Sequence, residues 1–101
     1  MPKVNIKQNC SLNPDEAFEK LTSLFENDTD LRKLDPGFTC DFDSTGREGR
    51  ASGKQFKANM KVNENAEGSE VSIQIDLPFH LALVKGVVEK TLQQKLQDSL
   101  S

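Results

Sequence analysis

The sequence predicts an α+β fold in which an antiparallel sheet of four or five strands is covered by a long C-terminal helix. The first observation behind this prediction is the stretch 71–77, where apolar and polar residues alternate as they do in a half-buried strand. The second is the change of period that follows it. From there on, apolar residues recur every three or four positions and therefore share one helical stripe; they are Leu81, Val84, Val88, Leu92, Leu96 and Leu100.

Length and composition limit the fold and the classes of partner. We expect the 101 residues to form a single domain, 1–101. Hydrophobic residues make up 35% of the chain, so we expect a core of one layer between the sheet and its helices. The net charge of −3 and the lack of Trp and Tyr are not typical of a nucleic-acid-binding protein.

The sequence shows neither a signal or membrane segment nor cysteines at the spacing of metal ligands. The first residues form no apolar signal region, and no apolar run approaches the ~20 residues of a membrane span. We therefore expect a cytoplasmic protein without a transmembrane segment, in which Cys10 and Cys40 are reduced thiols. Neither cysteine has a second Cys or a His at ligand spacing, so we predict no metal and no cofactor.

The N-terminal part of the chain predicts a strand followed by a helix. Val4 and Ile6 alternate with polar residues, which indicates a short first strand. Asn13 is a suitable N-cap, and Glu16, three positions later, completes a near capping box. The helix is expected to end near Asn27 and to bury Ala17, Phe18, Leu21, Leu24 and Phe25. Residues 27–30 are expected to form either a turn or a second cap that leads into a short helical piece through Leu31 and Leu34, before the stop at 35–37.

The middle of the chain predicts three further strands before the one at 71–77. Alternating apolar residues define two of them; these are Phe38, Cys40 and Phe42 for the first, and Phe56, Ala58, Met60 and Val62 for the second. Between them, 47–53 is a weak strand or extended edge, because glycine and charge dominate it. A polar loop is expected at 63–68. Consecutive strands with short connections form an antiparallel meander, whose apolar face must be covered by the helices.

The C-terminal third resembles a known family. Residues 76–92, D-L-P-F-H-L-A-L-V-K-G-V-V-E-K-T-L, are similar to the end of the polyhydroxyalkanoic acid system proteins, small bacterial chains encoded near the genes of storage-polyester granules. Lys85, Gly86 and Glu89 match the family's Lys-Gly-x-x-Glu motif, whereas Pro78 stands where glycine is usual and 46–68 is longer and more polar. The resemblance implies a non-enzymatic, granule-linked protein. It also implies a reduced helix-grip fold, the ligand-binding architecture in which a long C-terminal helix closes over a curved sheet.

Catalytic and ion-binding patterns are weak. The glycine-rich stretch 46–54 lacks the spacing of a phosphate-binding loop. His80 could act as a general base only with a partner such as Asp76, and we interpret it as a solvent-exposed residue at the helix start. Asp41 and Asp43 with Glu48 could form a cation site, but acidic residues are ordinary on the solvent face of a strand. No nucleophile–base pair is visible, so we predict that the protein is not an enzyme.

The first half of the C-terminal helix is apolar over a wide arc, because Phe79, Leu83 and Val87 lie beside the main stripe. We expect this half to sit deeper in the core than the second half. The alternative is a surplus apolar surface for a partner. Gly86 is expected where the backbone passes close to the sheet, or to another helix, and Lys85 should pair with Glu89.

Two functions follow from these patterns. The first is a small binding or adaptor protein that uses the surplus apolar surface to dock onto a granule, a protein partner or a second copy. The alternative is a carrier for a hydrophobic ligand between sheet and helix, lined by Phe38, Phe42, Phe56, Met60, Ile73 and Phe79. A cavity of several hundred Å³ at that place would favour the carrier. A filled core with Phe79, Leu83 and Val87 exposed would favour the adaptor.

Overall fold

The structure is a computed structural model that describes residues 3–27, 29, 33, 37–54 and 56–100. Within these ranges the elements are β1 (Lys3–Cys10), α1 (Pro14–Asn27), β2 (Thr39–Asp43), β3 (Glu48–Ser52), β4 (Lys57–Asn65), β5 (Gly68–Asp76), a 3₁₀ segment (Phe79–Val84) and α2 (Lys85–Leu100). The strands form one sheet in the order β1-β5-β4-β3-β2, and all neighbours are antiparallel. The predicted α+β fold with its long C-terminal helix is confirmed.

The two faces of the sheet follow the alternation in the sequence. The central inward row runs across all five strands and consists of Ile6, Ile73, Met60, Gly49 and Phe42. Helix α1 packs over β4, β5 and β2, whereas α2 packs over β1 and against α1. Both helices therefore lie on the apolar face, and β1 and β2 are the edge strands.

The weak strand at 47–53 is present as β3 and pairs with β2 and β4. Gly49 lies on the inward face of β3, where a larger residue would not fit. A Cβ at this position would lie 2.7 Å from Cδ1 of Phe42 and 3.0 Å from Cγ of Met60. Glycine in a strand interior often marks such a close approach, and here it makes room for the Phe42 ring.

The start of α1 has the predicted cap. The Asn13 side-chain oxygen accepts from the backbone N–H of Glu16 at 2.9 Å, and the Asn13 amide donates to the Glu16 carboxylate at 3.1 Å. These reciprocal bonds satisfy an N–H that the helix itself leaves unpaired. The short helical piece predicted through Leu31 and Leu34 lies outside the described residues.

The predicted loop at 63–68 is too long. Strand β4 continues to Asn65 and β5 begins at Gly68, so only Ala66 and Glu67 form the turn. The Asn65 side-chain oxygen accepts from the N–H groups of Glu67 and Gly68. Polar residues at the strand ends resemble a loop in sequence, but here they pair as strand and keep their side chains toward solvent.

The C-terminal helical stretch differs from its prediction in two ways. It begins as the 3₁₀ segment and becomes α-helical only at Lys85. The expectation that its first half sits deeper in the core is wrong, because none of the 3₁₀ residues is buried, whereas Leu92, Leu96 and Leu100 are 3%, 0% and 5% exposed. The second half therefore anchors the helix.

Candidate docking surface on the C-terminal helix

Phe79, Leu83 and Val87 form an exposed surface that we call the apolar strip. Their exposed fractions are 76%, 99% and 65%, and the neighbouring Val84 is 41% exposed. Together these side chains offer roughly 500 Å² of apolar surface, which is in the upper part of the range for the largest patch on a monomer. Isolated exposed apolar residues are normal, but several large ones within nine residues, with a summed area of this size, commonly mark a binding site.

Chain length and the side of the helix together explain why the strip is left uncovered. The chain leaves the sheet at Asp76, which pairs with Lys3, and Gln93 of α2 bonds to β1 at Lys7 and Gln8. Four strand residues cover about 13 Å, whereas the stretch from Phe79 to Gln93 is about 25 Å long, so its first half does not lie flat along β1. Leu81 and Val88, on the side that faces the protein, are only partly buried against the core. The strip lies on the other side of the helix and receives no cover from the sheet.

Side-chain hydrogen bonds hold the helix to β1 beyond the strip. The Gln93 side-chain amide donates to the side-chain oxygen of Gln8 at 2.7 Å and to the Lys7 carbonyl at 3.4 Å. Gln97 also donates to Gln8, at 3.4 Å. These bonds occupy part of the open edge of β1, which reduces its ability to pair with another strand. They also fix where the buried half of α2 begins.

Gly86 lies on the exposed side of α2, which corrects the prediction that it packs against the sheet. A Cβ added at Gly86 would meet no atom within 4 Å. A shallow groove of about 550 Å³ is lined by Leu83, Gly86, Val87, Glu89, Lys90 and Gln93. Sequence reasoning did not include Lys90 and Gln93 in this surface, although their spacing from Leu83 and Gly86 places them on the same side of a helix.

The stretch that carries the strip holds more basic than acidic residues. Residues 79–90 carry Lys85 and Lys90 but a single acidic residue, Glu89, in a chain whose net charge is −3. The predicted Lys85–Glu89 pair is not among the ion pairs of the described residues. Both lysines are exposed. Lys90 lies with Leu83 and Val87 in the lining of the groove and can extend its apolar stem along the strip while its ammonium group reaches solvent or an acceptor.

The residues proposed to line a ligand cavity lie mostly in the core. Phe38, Phe56, Met60 and Ile73 are 4%, 5%, 3% and 2% exposed, and Phe42 is half-buried. The Phe38 and Phe56 rings are 5.6 Å apart, and Phe42 meets Phe18 of α1 edge-on at 6.0 Å. Walls of an empty ligand-sized cavity would retain accessible surface, so these four side chains are packed against protein atoms. Phe79 is far more exposed than the other five.

The remaining candidate residues are not assembled into a reactive group. His80 is exposed, and the ion-pair partner of Asp76 is Lys3, at 4.0 Å between Nζ and Oδ1. Asp41, Asp43 and Glu48 are all exposed on the outer side of the sheet. Within the described ranges, no three His, Cys, Asp or Glu side chains are placed to hold a metal ion.

The two cysteines lie far apart. Cys10 is in β1 and Cys40 in β2, which are the opposite edges of the sheet. Four inter-strand spacings separate these edges, or about 19 Å. A disulfide requires Cα atoms within about 7 Å, so these two cysteines are not joined by a disulfide within one chain.

Several solved structures resemble this chain over nearly its whole length. TTHA0849 from Thermus thermophilus has a TM-score of 0.64 and 14% identity, covering 98% of this chain and 94% of that one. CV1439 from Chromobacterium violaceum has a TM-score of 0.61 and 11% identity, with 99% and 96% covered. Ara h 8.0201 has a TM-score of 0.58 and 12% identity, with 97% and 94% covered. At these identities the likeness establishes the fold, a helix-grip-like α+β architecture.

Other comparisons return no relative. No protein-family model matches the sequence, and no curated protein matches it. Among the described residues, no helix is both long enough and apolar enough to cross a lipid bilayer.

Proposed function

We propose that this protein is a non-enzymatic, cytoplasmic binding protein that docks through its apolar strip onto the hydrophobic surface of polyhydroxyalkanoate granules. The observation that carries the proposal is the exposure of Leu83, at 99%, beside Phe79 and Val87. A second line of support is the resemblance of residues 76–92 to the polyhydroxyalkanoic acid system proteins.

The shape and charge of the strip favour an extended apolar surface as its partner. The strip lies on the outside of a helix, so it is convex and suits a broad surface. Lys90 lies beside Leu83 and Val87 in the lining of the groove, as lysines flank the apolar face of helices that lie in an apolar–water interface. The ester oxygens of a storage polyester are hydrogen-bond acceptors for its ammonium group.

A carrier of a hydrophobic ligand is the second candidate. The helix-grip-like fold favours it, because that architecture is used to hold ligands between the sheet and the C-terminal helix. The packing of Phe38, Phe56, Met60 and Ile73 speaks against it, since a ligand at this place would have to displace buried side chains. We therefore rank docking above carriage.

Sedimentation with poly(3-hydroxybutyrate) particles tests the docking. Leu83→Asp removes an exposed apolar side chain and adds a charge, while Ala66→Asp makes the same change of charge at an exposed turn residue on the β4–β5 hairpin. Losing the burial of one leucine, about 2 kcal/mol, weakens binding at least roughly 30-fold. We expect that loss for Leu83→Asp and wild-type binding for Ala66→Asp. Equal binding by the two variants would contradict the proposal.

Two further outcomes would identify another partner for the strip. A concentration-dependent dimer in analytical ultracentrifugation, abolished by Leu83→Asp and accompanied by no particle binding, would assign the strip to a second copy of the chain. A monomer that ignores the particles but retains a hydrophobic molecule in native mass spectrometry would support the carrier instead.

A further inference from the structure

The 3₁₀ segment, Phe79–Val84, is unusually long and makes few contacts with the rest of the protein. It has six residues, whereas 3₁₀ helices seldom exceed three or four. Its first bond runs from the Leu81 N–H to the Pro78 carbonyl, at 3.0 Å. None of its residues is fully buried, and Leu81 is partly buried against the core. Most of its side chains therefore have little tertiary contact that would select the 3₁₀ form.

The residues of the segment do not require 3₁₀ geometry either. The sequence F-H-L-A-L-V contains no glycine or proline, and Leu81, Ala82 and Leu83 are strong formers of α-helix. At the junction, Lys85 already has α-helical dihedral angles, φ −50° and ψ −46°. An α-helix could thus extend backward through the segment without an unfavourable residue.

The anchors at the two ends explain why the segment is stretched. Leu77 precedes it and Leu92 follows it, and they are 4% and 3% exposed. A 3₁₀ helix rises about 2.0 Å per residue and an α-helix about 1.5 Å, so conversion of six residues shortens the segment by about 3 Å. The fixed ends oppose that shortening, and an external contact is needed to favour it.

Conversion changes which side chains share a face. Residues four positions apart diverge by about 120° around a 3₁₀ helix but by only about 40° around an α-helix. In the 3₁₀ form, Phe79 and Leu83 therefore point in different directions. In the α form, Phe79 and Leu83 lie in line with Val87 and can contact one surface together.

We propose that the segment Phe79–Val84 converts from 3₁₀ to α-helix when the apolar strip docks, and that this conversion completes the strip. The inference rests on the proposed function, since it needs an extended surface that contacts one face of the helix. It adds that the binding surface is incomplete in the free protein. A ligand too small to contact Phe79, Leu83 and Val87 together does not stabilise the α-helical form. Such a ligand is therefore bound weakly.

Spin labels can detect the conversion. In a background of Cys10→Ser and Cys40→Ser, labels are placed on His80→Cys and Val84→Cys, which lie outside the strip. Residues four apart are close on an α-helix, with about 5–6 Å between Cβ atoms, and farther apart on a 3₁₀ helix. We expect the dipolar broadening of this pair to increase when poly(3-hydroxybutyrate) particles are added.

The matched control is a pair four residues apart that is already α-helical. Labels on Gln94→Cys and Asp98→Cys, two exposed positions outside the groove, lie in α2, and their broadening should be the same with and without particles. Protein that sediments with the particles while the 80/84 pair keeps its spectrum would overturn the conversion and leave the docking intact. Protein that does not sediment with the particles would overturn the docking and the conversion with it.

Discussion

The two halves of the stretch 79–100 carry large apolar side chains at helical spacing and use them in opposite ways. In the second half, Leu92, Leu96 and Leu100 are buried against β1 and α1. In the first half, Phe79, Leu83 and Val87 are exposed. The two sets lie on opposite sides of the helix, since Val87 and Leu96 are nine residues, about 180°, apart. The stripe of Leu92 continues in the first half as Leu81 and Val88, which are only partly buried against the core. The comparison teaches that apolar residues at helical spacing are buried only on the side that neighbouring elements cover.

The largest expected difference between the two halves is in the cost of truncating a leucine to alanine. Leu96 is fully buried, so Leu96→Ala should lower the free energy of unfolding by about 3 kcal/mol through lost burial and the cavity left behind. Leu83 contacts little, so Leu83→Ala should change it by less than about 0.5 kcal/mol. Urea unfolding followed by circular dichroism measures both. Similar losses would mean that the first half is packed in the core.

Gly68 and Gly86 differ in whether the backbone has room for a methyl group. Gly68 has φ +143°, and a Cβ there would lie 2.7 Å from the Cys10 carbonyl oxygen, so Gly68→Ala should destabilise the protein by about 2 kcal/mol. Gly86 is helical and unobstructed, so Gly86→Ala should stabilise it by about 0.5–1 kcal/mol.

The same unfolding experiment compares the two glycine variants. A destabilising Gly86→Ala would contradict an exposed first half, because it would reveal a close neighbour that the added methyl group meets. A neutral Gly68→Ala would mean that the β4–β5 hairpin does not press against the segment that follows β1.

A smaller effect is expected where the buried half of the helix begins. Gln93 is half-buried and bonds to β1, so Gln93→Ala should cost about 1 kcal/mol of unfolding free energy. Gln94 is exposed and bonds to Asp98 in its own helix, so Gln94→Ala should cost less than about 0.5 kcal/mol. Equal costs would show that the bonds to β1 do not hold the helix.

Much of the fold could be predicted from the sequence because the strands alternate cleanly and α1 has a strong cap. The alternation placed β1, β2, β4 and β5, and Asn13 with Glu16 placed the start of α1. For β3 the sequence predicted only a weak strand or extended edge, because two glycines and three charged residues dominate 47–53.

The burial of the C-terminal helix could not be predicted in the same way. Its pattern shows an apolar face along the whole stretch, but the exposure of the first half depends on where β5 ends and where α2 meets β1. Those are consequences of register, Asp76 opposite Lys3, that no local pattern contains. The 3₁₀ geometry of 79–84 depends on the same anchors, and so does the open position of Gly86.

The most direct test of the account is an environment-sensitive fluorophore attached at Leu83→Cys, in the Cys10→Ser and Cys40→Ser background, with poly(3-hydroxybutyrate) particles added. The same fluorophore at Ala66→Cys serves as the control. The account predicts a blue shift of emission at position 83 and none at position 66, because the strip enters the apolar surface and the hairpin stays in water. A shift at position 66 alone, or at neither position while the protein sediments with the particles, would contradict it.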